Sequence, residues 1–137
     1  MVTEKETPEL ELEASIDPYM RKFIREMNAG TVSLVLLAVL EKADRPLYGY
    51  EIARMLGSLS TELAQVKQGT LYPVLRSMER SGLLESHVEP SVSGPPRRYY
   101  SVTDIGREGM ARWRTAWVEI RDFVDAVLEG ENLDQLD

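Results

Sequence analysis

The chain has no cysteine and a single histidine, His87, among its 137 residues. Disulfides and thiolate chemistry are therefore excluded, and a structural metal cluster would have to form without its usual ligands. Long apolar stretches are missing too. The longest, Val32 to Leu40 with Ser33 interrupting, is far short of the roughly 20 residues a membrane span requires. At the N-terminus Glu4, Glu6, Glu9, Glu11 and Glu13 stand where a secretory signal would have a basic start and an apolar run. No glycine-rich phosphate loop occurs, and the serines and threonines have no base partner. His87 falls in a predicted strand without an evident acidic or nucleophilic neighbour, which suits a surface or strand-pairing residue. These absences predict a soluble cytoplasmic protein that is not an enzyme, with no cofactor, metal or membrane partner. At this length one domain with a real core is expected.

What is present is acid in excess, with a net charge of −7. Its location matters more than its total. Residues 1–15 and 129–137 each carry −4, which leaves +1 for everything between them. The two ends have weak structural signals and read as acidic tails, 1–15 being expected to be disordered. Any basic face must come from clusters within the near-neutral middle.

Asp17-Pro18 makes a helix start, with Asp as N-cap and Pro at the first helical position. Ile16, Met20, Phe23 and Met27 then recur at helical spacing, and Asn28-Ala29-Gly30 is expected to end this helix. Thr31 to Lys42 is apolar nearly all round and reads as a central buried helix, broken by Asp44-Arg45-Pro46. Tyr48 to Leu56 is a short third helix with Ile52, Met55 and Leu56 inward, followed by a polar connection carrying a possible helical turn at Thr61–Ala64. Thr70 to Ser81 is a fourth helix stopped by Gly82. Leu83–Glu89 and Arg97–Val102 are strands, joined by a loop containing Pro95-Pro96. Thr103 caps a last long helix that ends near Leu128, before Gly130. Helix, short helix, amphipathic helix and hairpin in this order form a winged helix-turn-helix. The predicted fold is mainly α with a small β-wing, extended by N- and C-terminal dimerisation helices.

On the fourth helix Leu71, Val74, Leu75 and Met78 follow the i, i+3, i+4, i+7 rule and form a core face. Thr70, Tyr72, Pro73, Arg76, Ser77 and Arg80 occupy the other side, with Lys67 and Gln68 just before it. A helix so arranged can lie in a major groove, its first residues reaching base edges while basic groups meet phosphate. The same pattern also suits a plain solvated amphipathic helix. In the second strand alternation puts Arg97, Tyr99 and Ser101 on one face, and Arg98, Tyr100 and Val102 on the other. Pro95-Pro96 stiffens the approach to the two arginines. The candidate DNA-binding residues are Lys67, Gln68, Thr70, Tyr72, Pro73, Arg76, Arg97 and Arg98.

The segments YGYEIARML, GTLYPVLRSMERSGLLES and RRYYSVTDIGREGM, with the Trp-containing final helix, resemble the PadR family of bacterial transcriptional regulators. The resemblance runs from about Gly30 to Leu128. It implies a winged-helix dimer that binds a palindromic operator, usually as a repressor. It makes Gly69–Pro73 the opening of the recognition helix and puts Arg97 and Arg98 in the wing. The chain is similar to short members with a single C-terminal helix, and the acidic segment before Asp17 is outside the usual pattern.

Along the last helix Met110, Trp113, Trp117, Ile120, Phe123, Val124 and Val127 repeat at steps of 3 and 4, a coiled-coil-like seam. So long a seam overruns a small domain and calls for a partner helix. Met110, Trp113, Trp117, Ile120 and Val124 are thus candidates for a homodimer interface. The tryptophans would either line a pocket for a small aromatic effector or serve as ordinary core.

The expected organisation is a tail (1–15), an N-terminal dimer helix (16–29), a winged-helix domain (30–102), a C-terminal dimerisation helix (103–129) and a second tail (130–137). The expected function is a ligand-responsive repressor binding double-stranded DNA as a homodimer. The alternative is a dimeric winged-helix protein-interaction module without specific DNA binding, which the net acidity favours.

Overall fold

The computed structural model describes the backbone of residues 6–59 and 68–131, and the side chains of 18–59 and 69–131. Its elements run α1 (Glu6–Ala43), β1 (Leu47–Tyr48), α2 (Gly49–Leu59), α3 (Gln68–Arg80), β2 (Leu84–Glu89), β3 (Arg97–Val102) and α4 (Asp104–Leu128). The Thr61–Ala64 turn falls outside the described residues.

The largest departure from expectation is α1. One helix replaces a tail, a dimer helix and a core helix, so the boundaries expected at 15 and 29 do not interrupt the backbone. Glu, Leu and Ala dominate residues 6–15, and all three are strong helix formers. Pro18 sits inside the helix, where it removes one i→i−4 bond without ending it. At the expected break, Gly30 costs about 1 kcal/mol relative to alanine. Thr31, expected to open a second helix, donates its hydroxyl to the Met27 carbonyl one turn back (3.0 Å). The helix survives these weak spots because its second half is anchored by packing.

The fusion also changes the membrane argument. Pro18–Ala43 is long and apolar enough to cross a membrane by length and composition, although the Val32–Leu40 run alone is not. In this structure Val32, Leu36, Leu37, Val39 and Leu40 are buried in the protein's own core.

Around that stretch the rest of the core closes. Ile52 and Leu56 come from α2, Leu71, Leu75 and Met78 from α3, and Leu47, Leu84, Tyr100 and Val102 from the sheet; Met110 of α4 completes it. Val74 and Met55, expected inward, are partly buried against this cluster. Both short helices therefore present the apolar stripe their sequence periodicity implies.

The sheet has three antiparallel strands in the order β1-β3-β2. β1 departs from the expectation of a helix that begins at Tyr48. It pairs with β3 as Leu47↔Tyr100 and Tyr48↔Tyr99, and α2 begins one residue later. Glu51 explains the switch. Its carboxylate accepts the Tyr48 backbone N–H (3.3 Å) and the Arg45 guanidinium (3.1 Å), capping α2 immediately after the strand.

The end of α3 is equally well defined. Gly82 has φ +82°, and its N–H reaches the Glu79 carbonyl (3.0 Å) while that of Leu83 reaches Met78 (3.0 Å). This is the double bond pattern of a left-handed helix stop, which a side chain at Gly82 would strain. Thr103 binds the same turn from the other side. Its N–H bonds the Leu83 carbonyl (3.1 Å), its hydroxyl donates to Gly82 (2.6 Å), and the same oxygen accepts the Gly106 N–H as N-cap of α4.

Candidate nucleic-acid interface

The core-facing side of α3 is fixed by Leu71, Leu75 and Met78, so its opposite side is presented to solvent. Thr70, Tyr72, Pro73, Arg76, Ser77 and Arg80 are all exposed there. Of the expected DNA-binding set, Lys67 and the Gln68 side chain lie outside the described residues. α3 begins at Gln68, two residues before the expected start, which puts Thr70 and Tyr72 in its first turns.

Tyr72 does more than face outward. A Cβ added to Gly49 at the start of α2 would run into the Tyr72 ring. The ring thus lies over the backbone of the preceding helix, and only a residue without a side chain permits that approach. The contact adds to the buried packing of Ile52 and Leu56 with Leu71 and Leu75 that holds the two helices of the helix-turn-helix together.

In the wing, β2 and β3 pair from Leu84↔Val102 to Glu89↔Arg97, leaving residues 90–96 as the connecting loop. The two arginines leave the strand on opposite faces, as alternation predicts. Arg97 lies over the Tyr48 ring, 4.5 Å from its centroid. Tyr48 meets Tyr99 edge-on (5.5 Å), and Tyr99 stacks on His87 (5.6 Å), so an aromatic row crosses all three strands on the outer face. His87 also has an acidic neighbour that was not expected, with Nε2 3.0 Å from Glu89 Oε1. Two residues apart on one strand, both side chains point to the same face.

Arg98 turns to the other face, shared with Tyr100 and Val102. Its guanidinium donates to the Ser86 hydroxyl (2.9 Å), and that hydroxyl donates to Glu79 of α3 (2.6 Å). Tyr100 is buried beside this group. Burial pushes its phenol up from the ordinary tyrosine range, the Glu79 carboxylate adds to the effect, and Arg98 and Arg76 oppose it. Neither Glu79 nor Ser86 was singled out from the sequence. The available signal was the alternation itself, which put Arg98 on the core face.

The remaining candidates divide along α4. Met110 is buried in the protomer's own core and Trp113 is partly buried against it. Trp117, Ile120, Phe123, Val124, Val127 and Leu128 are exposed. Trp113, Trp117 and Ile120 line a cleft of about 310 Å³ whose other wall is Gly30, Thr31, Ser33 and Leu34 of α1. Further along α1, Tyr19, Met20, Phe23 and Met27 are exposed as well.

Comparison with known proteins agrees with this architecture. Residues 36–112 match the Transcriptional regulator PadR-like family. The chain is 35% identical over 109 residues to the transcriptional regulator Rv3488 of Mycobacterium tuberculosis (strain ATCC 25618 / H37Rv), covering 80% of this chain and 94% of that protein. Its structure is similar to the crystal structure of a PadR family transcriptional regulator from Eggerthella lenta DSM 2243, with a TM-score of 0.74 at 29% identity, covering 85% of this chain and 97% of the other. A PadR-like transcriptional regulator from Bacillus cereus strain ATCC 14579 gives a TM-score of 0.62 at 29% identity, covering 77% and 99%. These relatives are transcriptional regulators and not enzymes. With a recognition helix, a wing and this match over more than half its length, the chain belongs to the PadR-like family of transcriptional regulators and is a winged-helix DNA-binding regulator.

Proposed function

We propose that this regulator is a cytoplasmic repressor that binds a palindromic operator as a homodimer and responds to a small aromatic effector. The observation that carries the reading is the free apolar face of α1 and α4. Phe123 is 70% exposed and Tyr19 77% exposed in the isolated chain, in company with Met20, Phe23, Met27, Ile120 and Val127. Apolar surface on this scale marks an interaction site more often than a solvent face. A second copy related by a two-fold axis would cover it and present two α3 helices to half-sites roughly 34–36 Å apart.

On each half-site Thr70, Tyr72 and Pro73 would meet base edges, and Arg76 and Arg97 the phosphates. The Trp113–Trp117 cleft adjoins the proposed dimer face, so a planar apolar molecule bound there would touch the surface that sets the spacing of the half-sites.

Sedimentation of the chain at micromolar concentration tests the dimer, and a monomer there would sink it. Changing Ile120 and Val124 together to glutamate should yield that monomer and weaken operator binding about a hundredfold, as avidity is lost. Footprinting upstream of the chain's own gene, with and without planar aromatic compounds, reads the operator and the effector together. Tryptophan fluorescence that no such compound quenches would leave the cleft as ordinary packing.

A further inference from the structure

We propose that Arg98 is a positioning residue that ties the wing to the recognition helix through Ser86 and Glu79, and is not a phosphate contact. The inference rests on α3 and the wing binding DNA.

The strand register brings the parts together. Ser86 pairs with Tyr100 and Val88 with Arg98, so Arg98 is the diagonal cross-strand neighbour of Ser86 and lies on its face. A hydroxyl has one proton and two lone pairs. Here the Ser86 proton goes to the Glu79 carboxylate at 2.6 Å and a lone pair receives the Arg98 guanidinium at 2.9 Å. Both bonds have one charged member, which makes them stronger than bonds between neutral groups. Reversing the hydroxyl would direct its proton at a cation and leave the carboxylate without it, so the relay has one favourable direction.

Glu79 follows Arg76 by three residues on α3 and lies on the same flank of that helix. The wing is therefore fastened to the recognition helix beside the residue proposed to meet phosphate. The buried Tyr100 phenol, which responds to Glu79, Arg98 and Arg76 together, marks the same junction. Arg98 donates to the Ser86 hydroxyl, which in turn donates to Glu79, whereas the Arg97 guanidinium rests on an outer-face ring. The two adjacent arginines thus divide the work: Arg97 is oriented toward the nucleic acid, and Arg98 sets the angle of the strand that carries it.

The test is a salt titration of the full chain on DNA upstream of its own gene, with wild type, R97A, R98A, R98K and S86A. Loss of a phosphate contact lowers the slope of log affinity against log salt by about 0.9. R98A and S86A should each weaken binding about tenfold with the slope unchanged, although Ser86 carries no charge. R98K, which can still donate to Ser86, should recover most of the loss, and R97A should lower the slope. A slope lowered by about 0.9 in R98A, with S86A binding as wild type, would overturn the proposal. If wild type shows no salt-dependent binding, the DNA reading itself fails, and the tie is then read from thermal unfolding of E79Q, R98A and their double variant. Non-additive losses support the tie, and additive ones reject it.

Discussion

The reading half of the molecule and its helical arm handle apolar surface in opposite ways. In α3 and the wing Leu71, Leu75, Met78, Leu84, Tyr100 and Val102 are covered by the chain itself, with Val88 near the wing tip the exception, and what faces outward is mostly polar or basic. In the arm formed by α4 and the first half of α1, aromatic and aliphatic side chains stand in solvent on a single protomer. The first region is finished by intramolecular packing, and the second is finished only by something else. Shape in the reading half is therefore a property of the fold. In the arm it depends on whatever covers it, and so on concentration or ligand.

Stability measurements can break that contrast. Leu75, fully buried in the reading half, should cost about 2–5 kcal/mol when changed to alanine, through lost transfer energy and the cavity left behind. Urea denaturation reads this directly, and a loss below 1 kcal/mol would contradict the packing described. Thr103→Ala removes the N-cap of α4 and should cost about 1 kcal/mol in the same assay. Gly49→Ala should push the Tyr72 ring off α2 and cost no more than about 1 kcal/mol, because that ring is exposed and can swing away. Its DNA affinity should fall further than its stability explains, because Tyr72 belongs to the recognition surface.

The arm should behave differently. Phe123→Ala should change stability by no more than about 0.5 kcal/mol where the chain is dilute enough to be monomeric. With rising protein concentration wild type should gain in melting temperature and the variant should gain less, since association stabilises the folded state by mass action. Equal gains would remove Phe123 from the interface.

The smallest expected effect is alkaline. The Tyr100 phenol ionises later in the folded chain than the ordinary value of 10.0. As pH rises through about 10 the unfolded chain loses its proton first, so stability contributed by this group is full below that pH and falls above it. Tyr100→Phe should flatten that part of the stability profile, and an unchanged profile would assign the alkaline loss to other groups.

Periodicity made much of the reading half legible before any coordinates. Leu71, Leu75 and Met78 identify the buried face of α3, Gly82 its stop, and Thr103 the cap of α4. All of these are local signals, decided by residues within a few positions of one another. The missed features are non-local. β1 is two residues long and exists because β3 offers Tyr99 and Tyr100 as partners, which Leu47 and Tyr48 cannot announce on their own. The fusion of α1 runs the other way: Asn28-Ala29-Gly30 gives a sound local signal for a boundary, and packing around Leu36 and Leu37 overrides it. Arg98 shows the remaining gap. Strand alternation gives its face, but the Ser86 hydroxyl it donates to is on the neighbouring strand and Glu79 beyond it is on α3, so the relay becomes visible only when helix and hairpin are brought together.

The turn at Ser81–Leu83 closes α3 and opens β2, and through Thr103 it also receives the end of β3 and the start of α4. In mechanical terms this is a hinge pin shared by both halves. α4 extends from it as a rigid lever of 25 residues, about 37 Å long at the helical rise per residue. A rotation of about 5° at the pin displaces the free end by about 3 Å over that length. The converse also holds: small shifts at the exposed end of α4 reach the base of the wing as a change of angle, through Thr103 and through the core that Met110 joins.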